Sequence, residues 1–174
     1  MRALLNNGLK EYPDIFFFDR ISPANLLLAK TMREKGVIVF FEPSCSVNAH
    51  NFDKCIEVSD IIKFSNQRIS DLHPFDHLDD KLIIQTLGEK GLMYRLNSEW
   101  RHLCPVTNDN VIDTSGAGDW TTAAIINGLK DRYTIADYTQ PEIESILLSA
   151  QKLGSYSCSF EGARGMMSVG TCGV

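Results

Sequence analysis

The chain has 174 residues, 44% of them hydrophobic and 22% charged, with a formal net charge of -5. That is enough apolar material for one domain with a core, and an acidic balance spread along the chain gives no electrostatic footing for nucleic acid or an anionic membrane surface. No apolar run approaches the roughly 20 residues of a membrane-spanning helix.

The first residues, MRALLNNGLKEYPD, lack the apolar segment and cleavage site of a signal peptide. Five cysteines (Cys45, Cys55, Cys104, Cys158, Cys172) are scattered without paired spacing. Buried reduced thiols in a cytoplasmic protein are therefore expected.

The first predicted element is DIFFFD (14–19), a short aromatic-rich run suited to a buried strand. SPANLLLAKTMREKG follows as a helix, with Ser22 as N-cap, Pro23 in the first turn and Gly36 at the C-terminal end. VIVFFE (37–42) is a second continuous apolar strand, so the segment reads as a βαβ unit with parallel, doubly buried strands. NFDKCIEV predicts a short helix, DIIKFS a strand, and NQRISDL a turn or short helix.

KLIIQTL and LMYRL predict two more strands, and Asn97-Ser98 a hairpin turn into EWRHLCPV, an antiparallel edge on an otherwise parallel sheet. A helix to about Lys130 and another over 141–156 precede a glycine-rich tail. The pattern predicts a three-layer α/β/α domain with a mostly parallel, doubly wound sheet.

DNVIDTSGAGDWTTAAIINGL (109–129) carries the chemistry. Gly116, Ala117 and Gly118 can turn their backbone N–H groups toward one point, and the lack of side chains lets an anion approach closely. A helix starting there adds unpaired first-turn N–H donors and the positive end of its dipole. Asp119, in that first turn, is placed to take the proton of an alcohol attacking a phosphoryl group. Taken alone, the same pattern also describes a plain glycine turn with Asp119 as a helix-dipole partner.

DTSGAGDWTTAAI resembles the C-terminal signature of the ribokinase-like, phosphofructokinase B-type carbohydrate kinases. The resemblance implies an ATP-dependent phosphotransferase of ribokinase-like fold, with Asp119 as catalytic base and Gly116, Ala117 and Gly118 as the anion hole. TLGEKG (86–91) is similar to the family segment beside the nucleotide, which implies nucleotide contacts at Thr86, Gly88 and Gly91. FEGARG (160–165) resembles the loop near the adenine and a monovalent-cation site, which implies roles for Gly162 and Ala163. Gln151 matches a position that approaches the nucleotide. Asp113 and Ser115 are the residues implied for potassium, and magnesium is implied with ATP.

Two departures bear on function. SNQRISD keeps Asn66, implied to organise magnesium and phosphates, but has Ile69 where the family places a glutamate; Glu42 is a candidate to substitute. The resemblance also covers only the C-terminal half of such a kinase, without the lid and the glycine-rich substrate motif. The expectation is a partial kinase domain over 1–174, unstable as an isolated monomer: a fragment, a half completed by a second copy or a complementing N-terminal chain, or a degenerate product.

Two functions remain in view: phosphorylation of a hydroxyl on a sugar or similar small molecule, and a non-catalytic nucleotide-binding or assembly module. A dinucleotide oxidoreductase is disfavoured, because its glycine fingerprint opens the first βαβ unit and GAGDWT lies late.

Overall fold

The computed structural model describes residues 11–44, 50–130, 132 and 134–168. One six-stranded sheet runs in chain order from β1 to β6. Strands β1 (Ile15–Phe18), β2 (Ile38–Phe41), β3 (Ile61–Ser65) and β4 (Leu82–Thr86) are parallel. Strands β5 (Leu92–Leu96) and β6 (Glu99–Leu103) add antiparallel at one edge. The β5–β6 hairpin turns through Asn97 and Ser98 at φ 51° and 69°. Positive φ at both central residues matches the right-handed twist of the flanking strands.

The first crossover helix, α1 (Pro23–Glu34), begins as the sequence dictates. The Asn25 N–H donates to Ser22 Oγ at 3.0 Å, and Pro23 sits where its missing N–H has no cost. Its C-terminal end passes through Gly36 at φ 76°. Helix α2 (Phe52–Glu57) is one short turn and a half, and Cys45 lies outside the described residues.

Alternation along the strands divides the core in two. Val39, Phe41, Ile62 and Phe64 pack with Leu26, Ala29 and Met32 of α1 and Phe52 of α2 on one face. Ile38, Phe40, Ile61, Leu82 and Ile84 face the other way, against Ile125 of α3 (Ala117–Gly128), its C-cap Leu129, and Ile143 and Leu147 of α4 (Gln140–Ser157). The three-layer α/β/α arrangement expected from the pattern is thus present.

Helices α3 and α4 run antiparallel in close contact. A Cβ on Gly154 of α4 would lie 2.3 Å from Thr121 Oγ1 and 3.0 Å from the Ala117 carbonyl, so α4 presses directly on the start of α3.

One expectation needs correction. Cys55 and Cys158 are buried, but Cys104 is exposed where the chain leaves β6. Cys172, like Cys45, lies outside the described residues. No helix among the described residues is long and apolar enough to cross a membrane.

Candidate active site

The same alternation builds the site. Ile15, Ile38, Ile61 and Leu82 belong to the α3–α4 side of the sheet. Two-residue steps from them put Phe17, Asp19, Glu42, Lys63, Ser65 and Thr86 on that side, toward the C-terminal ends of the parallel strands. Those residues, with Ser44, Arg68, Gly116, Gly118 and Asp119, line a cavity of about 380 Å³. Ligands of open α/β sheets bind outside these strand ends.

The α3 N-terminus closes the cavity. Gly116 is the N-cap, at φ 79°. The Ala117 N–H donates to the Thr114 carbonyl at 3.3 Å, so it is turned inward and is not a free donor as expected from the sequence. The N–H groups of Gly118 and Asp119, in the first turn, have no backbone acceptor among the described residues. The backbone donors left without a backbone acceptor thus lie one residue along, toward Asp119, which is exposed at the cavity.

A second loop braces the turn. Asp113 Oδ1 accepts the Ser115 N–H at 2.9 Å and Oδ2 accepts the Gly162 N–H at 2.8 Å. These bonds, Ser115 first, hold the Asp113 carboxyl below the usual carboxylate range. The Trp120 indole N–H donates to the Ala163 carbonyl at 3.0 Å. Gly116 lies so close that a Cβ there would be 2.7 Å from the Ala163 Cβ. Gly162 and Ala163 thus meet the Gly116–Gly118 turn directly, and Asp113 ties the two loops together.

Under the turn lies a polar cluster that sequence reasoning did not assemble. Lys63, buried in β3, donates from Nζ to Glu42 Oε1 at 2.6 Å and lies 3.4 Å from the Gly118 carbonyl. Thr122 Oγ1 is 2.6 Å from Glu42 Oε2 and 3.0 Å from the same carbonyl. A lysine inside the apolar run DIIKFS was the available signal, since lysine is almost never fully buried unless paired.

The remaining candidates fall unevenly. Thr86 lines the cavity, whereas Asn66, Gly88, Gly91 and Gln151 do not. Asn66 is exposed just past β3, its N–H bonded to the Thr86 carbonyl at 2.9 Å. Gly88 has a left-handed φ of 63° and no neighbour that a Cβ would meet within 4 Å. Gly91 instead lets the chain leaving β6 approach, because a Cβ there would be 2.2 Å from the Leu103 carbonyl. The Gln151 side chain reaches the Cys104 carbonyl at 3.4 Å.

The residues after β3 differ from the sequence reading. Ile69 is buried with Phe64 and Phe75 on the opposite face, away from the cavity. Arg68 faces the cavity in its stead, its Nη1 donating to the Pro43 carbonyl at 3.3 Å. Among the described residues no three His, Cys, Asp or Glu side chains group as a metal cage.

The family model for pfkB family carbohydrate kinase matches residues 22–169. Ribokinase of Lactococcus lactis subsp. lactis is 29% identical over 138 residues, covering 75% of this chain and 45% of that protein. Fructokinase-2 of Solanum lycopersicum is 24% identical over 187 residues, covering 92% of this chain and 56% of that protein. The chain spans about half the length of the curated relatives it matches.

Among solved structures, aminoimidazole riboside kinase from Salmonella enterica, complexed with aminoimidazole riboside and an ATP analogue, superposes with a TM-score of 0.70 at 21% identity. The match covers 87% of this chain and 58% of that one. A fructokinase double mutant from Vibrio cholerae, bound to fructose, ADP and potassium ion, gives a TM-score of 0.70 at 17% identity, covering 90% of this chain and 57% of that one. These likenesses establish a ribokinase-like fold.

Proposed function

The chain belongs to the pfkB family of carbohydrate kinases, and we propose that it carries the nucleotide-binding and catalytic half of a kinase that transfers the γ-phosphoryl group of ATP to a hydroxyl of a sugar or related small molecule. The observation that carries this is the convergence of the α3 N-terminus, Asp119 and the C-terminal ends of the parallel strands on one cavity. Asp119 accepts the proton of the acceptor hydroxyl, whose oxygen then bonds to the γ-phosphorus as the bond to the ADP oxygen breaks. The Gly118 and Asp119 N–H groups and the α3 dipole stabilise the charge on the transferring group.

Nucleotide contacts are assigned to Thr86, Gly88, Gln151, Gly162 and Ala163, with Asn66 and Gly91 shaping the turns that carry them. Magnesium supplies neutralisation of phosphate charge when bound. The carboxylates present fit an ion held mainly by phosphates and water. Asp119 is the carboxylate suited to meet its water shell, since the charge of Glu42 is already offset by the Lys63 ammonium. Asp113 and Ser115 fit a potassium site: each Asp113 oxygen accepts one backbone N–H, which leaves it a further lone pair.

The chain's span of about half its relatives' length favours a second reading, a nucleotide-binding or assembly module without turnover of its own. Among the described residues strand β1 ends the sheet, with Phe17 41% exposed, and this is the place where a second copy or a complementing N-terminal chain would pair. We place the protein in the cytoplasm on its family. The test is transfer of γ-labelled phosphate from ATP to a panel of sugars and nucleosides, with ATP binding measured in parallel. Labelled product supports the kinase, binding without product supports the second reading, and neither binding nor product refutes both.

A further inference from the structure

The Glu42–Lys63–Thr122 cluster is more than packing requires. The strand positions around Lys63 are filled by Ile61, Ile62 and Phe64, all buried. A buried ion pair is weak evidence for stability, because apolar residues of similar volume often serve as well or better. What the pair reaches is informative. Lys63 comes from β3, Glu42 follows β2, and both lie under the first turn of α3, where Lys63 Nζ and Thr122 Oγ1 stand 3.4 Å and 3.0 Å from a single carbonyl, that of Gly118.

The Gly118 carbonyl and the Asp119 N–H belong to one planar trans peptide, so they point in opposite directions. The helix's own bond from the Thr122 N–H orients this carbonyl, and a second grip on it from inside the protein stiffens the direction in which the Asp119 N–H leaves the helix. The same peptide leads into the Cα that carries the Asp119 carboxylate. Thr122 spends its single proton on one acceptor, and Glu42 Oε2 is the closer at 2.6 Å. That leaves the Lys63 ammonium as the donor able to hold Glu42 and Gly118 at once.

We infer that Lys63 is a positioning residue for phosphoryl transfer: anchored by Glu42, its ammonium grips the Gly118 carbonyl and aims the Asp119 peptide and carboxylate at the transferring group. The inference rests on the kinase reading above and adds a group outside its chemistry. Lys63 shares no proton with the acceptor. Its work is to hold the anion hole and the base in register while charge moves past them.

The test compares the full chain with Lys63→Met, the charge-free pair Lys63→Met/Glu42→Leu, Thr122→Val and Asp119→Asn. Two readouts are taken: kcat and KM for phosphoryl transfer from ATP, and the amide NMR shifts of Gly118 and Asp119 on adding ATP. A misplaced reacting group costs on the order of 100-fold. The expected result is therefore a loss of about that size in kcat for both Lys63 variants, with KM for ATP changed less than about threefold. The ATP-induced shift at Asp119 is lost in them and reduced in Thr122→Val.

Where turnover falls below detection, the amide shifts decide the matter, and where Lys63→Met alone fails to fold, the charge-free pair Lys63→Met/Glu42→Leu decides it. Wild-type kcat and an unchanged Asp119 shift in the double variant, alongside a dead Asp119→Asn, would overturn the positioning role alone. Unchanged transfer in Asp119→Asn, or no ATP-induced shift at Gly118 or Asp119 in the wild type, would instead sink the kinase reading.

Discussion

The two glycines of the Gly116–Gly118 turn are expected to fail in opposite ways when each is replaced by alanine. Gly116 has φ 79°, and an added Cβ would lie 2.7 Å from the Ala163 Cβ and 2.8 Å from its Cα. The left-handed backbone costs an L-residue about 1–2 kcal/mol. Forcing a methyl against a backbone-anchored neighbour adds about 1–3 kcal/mol. Together these give a loss of about 2–5 kcal/mol for Gly116→Ala, or roughly 5–20 °C in Tm for a chain of this size.

Gly118 differs in both respects: its φ is not positive, and nothing lies within 4 Å of the added Cβ. Alanine for glycine in a helix gains up to about 1 kcal/mol, so Gly118→Ala should melt at or slightly above the wild type. Yet Gly118 lines the cavity, and in the proposed reaction a methyl there stands where the phosphate would approach its N–H. ATP affinity should fall by at least about tenfold, or about 1.4 kcal/mol. Thermal melts with calorimetric ATP titration separate the two. A Gly116→Ala protein as stable as wild type, or a Gly118→Ala protein that binds ATP normally, would refute the account of the turn.

Two further expectations follow from the surroundings. Glu142 accepts from the Thr139 hydroxyl and N–H and pairs with Arg132, which takes its carboxyl from an ordinary 4.5 down to about 2. A lowered folded-state pKa means that this stabilisation is complete above pH 4.5 and is lost as pH falls from 4.5 toward about 2. Glu142→Gln should accordingly lose stability near neutrality and show a shallower decline across that window in acid melts; parallel curves for the two proteins would contradict it. Among the described cysteines, Cys104 is exposed while Cys55 and Cys158 are buried. A thiol reagent followed by peptide mapping should label Cys104 in the native protein and the other two only after unfolding.

Much of the fold was legible because its signals are local. Ser22 and Pro23 announce α1, Asn97-Ser98 announces the hairpin, and continuous apolar runs announce buried parallel strands. The turn before α3 was legible for the same reason: two glycines and a carboxylate are needed within a few residues. The rest of the site was not, because it is assembled across strands. Asp19, Glu42, Lys63 and Thr86 meet only once four strands are set in parallel register.

Residue spacing after β3 also misled. It pointed to Asn66 and to position 69 as the place of the family's glutamate, whereas alternation from Ile61 through Lys63 brings Ser65, and after it Arg68, to the cavity. Ile69 then turns into the opposite core. The Ala117 amide, satisfied within its own turn, is a detail of hydrogen-bond direction that residue identity does not carry.

The central claim is that Asp119 serves as the base for phosphoryl transfer at the α3 N-terminus. Its most direct measurement is the rate of labelled γ-phosphate transfer from ATP to an accepted sugar, by wild type and by Asp119→Asn, at saturating ATP and matched folded concentration. The expected result is a fall of about 100- to 10,000-fold in kcat with ATP affinity largely kept. Equal rates in the two proteins would contradict it.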